Sequence, residues 1–265
     1  MILSRVDDGL LVVRQPDHGS QTGLFARAWG NGVVAPPAGH RHASELAARH
    51  HDDGWALWER RPSIDPATGR PVQFLDLTPR EHVPLYRAGI ARAAHHDPWT
   101  GLLVSLHGAG LYNDRYGTFR LAEQHFNAEE QALVDEFLVD MAALQNALNG
   151  AVGRRPVAHP SYDPEVWEHY LLLQVWDRLS LQYAFRLAAD GLIGPAPGMP
   201  AGLACRADGH FGLTLDPYPF ADDRLTFPVA ATVVADRPYR TPEDFLAEVA
   251  AASTTTLECR ARAPG

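Results

Sequence analysis

Cysteine is scarce in this chain. Cys205 and Cys259 are the only two, and their separation matches neither a metal-binding nor a redox pair. That excludes a disulfide framework and is the usage of a reducing compartment. Long apolar runs are missing as well, so no stretch of about 18 apolar residues is there to span a bilayer. The opening MILSRVDDG becomes charged too early for a secretory leader. A cytoplasmic protein with no membrane partner is the expectation. Positive charge is in deficit: 23 Lys+Arg stand against 32 Asp+Glu, a net of −9. An acidic surface repels a phosphate backbone, which argues against nucleic acid. No glycine-rich dinucleotide loop is present, because the GAG at 108–110 follows a helical run rather than a strand. What is there is globular: 46% of the residues are hydrophobic, enough to build a core. Histidine is abundant at 13, so where the histidines fall carries the functional argument.

The pattern predicts a hairpin over the first fifteen residues, MILSRV and LLVVRQ around DDG. A helix capped by Asp17 follows, ending at Gly30 or Gly32, and another runs from Ala43 to His51. Thr78-Pro-Arg-Glu81 and Asn127-Ala-Glu-Glu130 have capping-box spacing and open helices to Ala94 and Leu148. DPWTGLLVSLHGAGLY reads as a short apolar helix. Asp163 and Pro164 open the longest helix, with Gly191 as its stop. After the Gly/Pro-rich stretch 190–202 come a hairpin around Asp208-Gly209, a strand RLTFPVAATVV and a last helix from Thr241. The expected fold is one domain over 1–265, mainly α. A helical core spans about 15–190 and a β-rich extension about 203–252. A small antiparallel sheet combines the N-terminal hairpin with the C-terminal strands.

Residues 49–55, RHHDDGW, crowd imidazoles and carboxylates together. On the long helix Tyr170, Leu173, Asp177, Leu181 and Ala184 share one face, apolar except for Asp177. A buried carboxylate needs a cation, backbone amides or a metal beside it. Arg178 points about 100° away and is a poor partner. His107 sits with Leu103, Gly110 and Leu111, and His51 with Ala47 and Ala43. A single core histidine usually bonds a carbonyl and nothing more. Four elements each offering such a residue are a different matter, since imidazole and carboxylate together suit Zn, Mn, Fe, Co or Ni.

These motifs, in order, resemble the HD-domain superfamily: His18, then HDDG at 51–54, then Asp177 in WDRLS. A bacterial family within that clan is more similar still, through QPDH at 15–18, HDDGW at 51–55, SLHGAGLY at 105–112 and DPYPF at 216–220. The resemblance implies an HD-like helical bundle holding one or two divalent transition metals. It makes His18, His51, Asp52 and Asp177 ligands, His107 an additional one, and His125 a candidate for a second metal. Trp55 replaces the lysine that many such proteins carry after the doublet. Arg14, Gln15, Trp55, Tyr112 and Arg115 are candidates for substrate contact, and Asp53 for the catalytic base. The implied activity is metal-dependent hydrolysis of a small, phosphorylated metabolite. A two-iron oxygenase on the same ligands and a non-catalytic metal-binding module are the alternatives. The partner expected is a small molecule, with homodimerisation left open.

Overall fold

The computed structural model describes residues 1–117, 125–155, 158–160 and 163–265. The chain opens with β1 (Ile2–Val6) and β2 (Gly9–Val13), joined by the two-residue turn Asp7-Asp8. α1 (Gln15–Ala28) begins earlier than expected: Arg14 is its N-cap residue and Asp17 lies in the first turn. There the carboxylate meets the positive end of the helix dipole rather than capping an amide. α2 (Arg41–His50) and the single-turn α3 (Trp55–Trp58) bracket the His-Asp doublet.

α4 (Pro79–His96) and α6 (Ala128–Ala151) carry the expected capping boxes, Thr78 with Glu81 and Asn127 with Glu130. α5 (Pro98–Gly110) starts where the Asp97 carboxylate accepts from the Thr100 amide at 2.7 Å. α7 (Pro164–Ala184) is capped by Asp163 but stops well before Gly191, because Leu187 and Ala188 take left-handed backbone at φ 55 and 59. Then follow β3 (Gly191–Ile193), β4 (Leu203–Ala207), β5 (Gly212–Asp216), β6 (Arg224–Val234), α8 (Pro242–Ala251) and β7 (Thr254–Arg262).

The expectation of a mainly α bundle with a small antiparallel sheet is overturned. The described chain is about 48% helical and 19% strand, and its seven strands form one curled, mixed half-barrel. Their order is β1-β2-β6-β7-β5-β4-β3. Two strands are unexpected: β3, at one edge and within the Gly/Pro-rich stretch, and β7, which lies at the centre, antiparallel to β6 and parallel to β5. Its residues alternate as a half-buried strand should: Cys259 and Ala261 face inward while Glu258 and Arg260 are exposed. The N-terminal hairpin joins through Leu10 opposite Val234, so the sheet draws on both ends of the chain.

α1 packs on the inner face, with Phe25 against Phe227 at 4.4 Å between ring centroids. The Tyr183 hydroxyl of α7 donates to the Arg260 carbonyl at 2.7 Å. α8 covers the outer face through Phe245, in a second cluster with Leu3, Val12, Val234 and Tyr239. Each such buried side chain stabilises the fold by about 1.5–3 kcal/mol. α5 is buried on all sides from Trp99 to Gly110, so it is the central helix and has no single apolar face. Among the described residues no helix is long and apolar enough to cross a membrane.

Candidate metal centre

Two close backbone crossings bring the polar cluster together. A Cβ on Gly19 would lie 2.5 Å from the Arg49 carbonyl oxygen, so only glycine lets α1 lie this near α2. His18 thereby reaches His51, their rings 5.1 Å apart and edge to face. A Cβ on Gly54 would lie 2.0 Å from the Leu85 carbonyl oxygen. The turn after Asp52 can therefore nest against α4, where Tyr86 donates its hydroxyl proton to Asp52 Oδ1 at 2.9 Å. α5 supplies His107 and α7 supplies Asp177. Arg115 comes from a turn in which Asp114, Arg115 and Tyr116 are all left-handed, with φ of 51, 50 and 56. Three successive non-glycine residues in that region are costly, by roughly 1–2 kcal/mol each.

Hydrogen bonds behind the cluster assign the direction of each ring. The Gln21 amide nitrogen donates to the Phe227 carbonyl at 2.8 Å, which turns its oxygen toward Ser180. Ser180 donates to that oxygen at 2.7 Å, so it accepts from His18 Nδ1, also at 2.7 Å. His18 Nε2 is left facing Asp177 Oδ1 at 3.1 Å. In the same way His51 Nδ1 donates to the Ala48 carbonyl at 2.7 Å. His51 Nε2 is buried with no hydrogen-bond partner, its nearest carboxylate oxygens being those of Asp52 at 3.4 Å and Asp177 at 3.7 Å. Two nitrogen lone pairs and two carboxylates converging in a buried space need a positive charge among them.

His107 is arranged differently. Arg115, which can only donate, offers a guanidinium N–H to His107 Nδ1 at 3.3 Å. The His107 ring proton therefore sits on Nε2, 3.7 Å from Asp52 Oδ1. Arg115 also pairs with Asp177 Oδ2 at 3.3 Å. Burial disfavours charge on His51, yet the carboxylates of Asp52 and Asp177 outweigh it and raise its pKa to about 9. Burial lowers His107 to about 4, against a raising effect from Asp52. For Asp52 and Asp177, burial favours the protonated form, but His51 and His107 at Asp52, and His18, His51 and Arg115 at Asp177, prevail, and both are held below the usual carboxylate range.

The donor set fits a divalent first-row metal. Ligand atoms of His18, His51 and Asp177 lie within 4.8 Å of one another, as do those of His51, Asp52 and His107. An ion with bonds of about 2.0–2.2 Å spaces its ligand atoms by about 3 Å or slightly more. The separations of 3.1, 3.4 and 3.7 Å are close to that before any ligand moves. The unpartnered His51 Nε2 is the atom such an ion would complete.

His18, Asp52, His107 and Asp177 line part of a cavity of about 710 Å³. Of the substrate candidates, Gln15, Trp55, Tyr112 and Arg115 line it. Arg14 does not: its guanidinium pairs at 3.3 Å with the buried Glu59. Asp53 is not brought to the cluster either, since its carboxylate takes His50 at 2.9 Å. His125 is exposed and borders the cavity away from the clustered ligand atoms. Sequence reasoning passed over Tyr86, Ser180, Gln21 and His82, which bonds the Tyr112 hydroxyl at 2.8 Å. Ser180 had a signal, being one turn beyond Asp177 on the same face. Tyr86 had none, because its partner lies far off in sequence, in the turn after α2.

A family model described as a protein of unknown function, DUF3891, matches residues 1–236. No curated protein and no solved structure matches the chain.

Proposed function

For a chain that belongs to the DUF3891 family, whose description names no activity, we propose a function on the site alone: metal-dependent hydrolysis of a small metabolite, phosphorylated in the form most compatible with the arginines. His18, His51, Asp52 and Asp177 hold a divalent transition metal. His107 becomes a further ligand only if its Nε2 proton leaves. The observation that carries this reading is the buried, unpartnered His51 Nε2 between two carboxylates. When bound, the metal supplies an acidified water and a polarised scissile oxygen.

The protein groups have separate tasks. Ser180 and the Ala48 carbonyl keep the Nδ1 protons of His18 and His51, so both Nε2 atoms stay turned to the metal side. Tyr86 fixes the Asp52 carboxylate. Arg115 holds Asp177 and stands in the cavity wall, where its planar guanidinium suits an oxyanion. Trp55 closes the wall beside His82, their rings 5.0 Å apart. Asp53 is not the base, being paired with His50 outside the cavity.

The test is elemental analysis of protein expressed without added metal, alongside Asp52→Ala and Asp177→Ala. About one or two equivalents of Fe, Mn, Zn, Co or Ni in the parent and loss in both variants is the expected result. A folded parent that cannot be loaded would instead make the chain a non-catalytic module. Asp52, whose Oδ2 faces His51 at 3.4 Å and whose Oδ1 faces His107 at 3.7 Å, has the two oxygens that bridging a second ion requires, which favours a second reading, a two-iron oxygenase. Iron content with oxygen-dependent turnover would select it.

A further inference from the structure

The cavity reaches well past the metal ligands, and its volume of about 710 Å³ is in the range that encloses a drug-sized molecule. Away from the cluster its lining is largely apolar, with Phe74, Leu77, Leu111, Phe126 and Leu181. Leu75, Phe185 and Leu192 line it too, yet they are 61%, 37% and 61% exposed, which puts them at the mouth. Among the described residues six large hydrophobic side chains are exposed, so half of them gather at this one opening. Scattered exposed leucines need no explanation, but a group at a cavity rim marks contact with an apolar ligand.

The same wall carries positive charge. Arg178 and Arg186 join Arg115 in the lining. Arg115 is buried there and Arg178 half-buried, while Arg186 is exposed and donates to the Asp190 carbonyl at 3.0 Å. Planar guanidinium groups in a cavity wall suit an oxyanion and give a neutral apolar molecule nothing to pair with.

We propose that the cavity takes an amphipathic anion. Its phosphate or carboxylate head group lies between the metal ligands and Arg178, and its apolar chain emerges between Leu75, Phe185 and Leu192. This rests on reading the cluster as the reacting end. It adds a substrate class: an oxyanion on an acyl or alkyl body rather than a compact polar metabolite.

The test is calorimetric binding of n-alkyl phosphates, n-alkanoates and n-alkylammonium ions from two to eight carbons, with metal content measured on the same samples. Affinity for one or both anion series should rise about fourfold per methylene until the chain reaches solvent. Ammonium ions of equal length should bind at least tenfold more weakly. The series with the tighter binding names the head group. Leu75→Ser with Leu192→Ser, both at exposed positions, should reduce the increment for the longer chains. A flat dependence on chain length, equal binding of ammonium ions, or an unchanged increment in the double variant would each overturn the proposal. Metal-loaded protein with a flat dependence defeats this inference alone. A steep dependence in protein that holds no metal defeats the hydrolase reading alone.

Discussion

Ser180 is a small residue with a large effect on the site. Its hydroxyl can donate only once, and that proton goes to Gln21, so it must accept from His18. Ser180→Ala removes the acceptor and frees His18 to exchange its ring proton between nitrogens. Metal affinity should fall about 10–100-fold, while stability changes by about 1 kcal/mol. Competition with a calibrated chelator, alongside a urea titration, separates the two. At this scale much of the cluster was legible. His51, His107 and Asp177 are polar residues on apolar or small-residue faces, and the structure places them in two buried groups that share His51. What could not be read was the set of hydrogen bonds behind them, because Gln21 and Tyr86 become partners only once the helices cross. Asp53 misled by adjacency: one residue on from Asp52, it points elsewhere and finds His50.

Gly54 belongs to the scale of elements. Its missing side chain lets the turn after α2 lie against α4, and Gly89 on that helix answers it, its own Cβ position falling 3.0 Å from the Gly54 amide nitrogen. Gly54→Ala must push the two elements apart. Destabilisation of about 1–3 kcal/mol is expected, together with loss of the Tyr86 bond to Asp52. Near-ultraviolet dichroism of Trp55, whose indole N–H donates to Tyr86 at 3.3 Å, should report that loss. Helix starts were readable from their caps, since Thr78, Asn127 and Asp163 each satisfy amides of their own first turn. The sheet was less readable. β7 follows a helix so closely, and is so rich in Thr and Arg, that its period-two pattern looked like a tail. Its place between β5 and β6 is set by partners distant in sequence.

For the whole molecule, buried histidines set how stability varies with pH. No lysine occurs among the 23 basic residues, so histidines dominate the charge changes between about pH 4 and 9. Burial lowers His82 to about 4, opposed by Asp52, and His107 is likewise lowered to about 4. The unfolded chain takes protons on both rings that the folded chain refuses, so stability falls as pH drops from 6.5 toward 4. Burial opposes the proton on His51, but Asp52 and Asp177 hold it up to about 9. Its contribution is complete below 6.5 and is lost as pH rises through 9. Chelator-treated protein should therefore be most resistant to urea near pH 6.5. A midpoint that climbed steadily to pH 9 would contradict this assignment. Bound metal would displace the His51 proton and carry the optimum to higher pH.

Heat resistance is also a property of the entire chain, and the bend at Asp114–Tyr116 works against it. Glycine at any of these three positions would relax the backbone, so a library screened by melting temperature should enrich replacements there. Those same replacements would let the guanidinium at 115 swing off Asp177. Rankings by survival and by turnover should thus part company at this corner, and the distance between them would gauge how much durability the protein forgoes to keep one arginine in place.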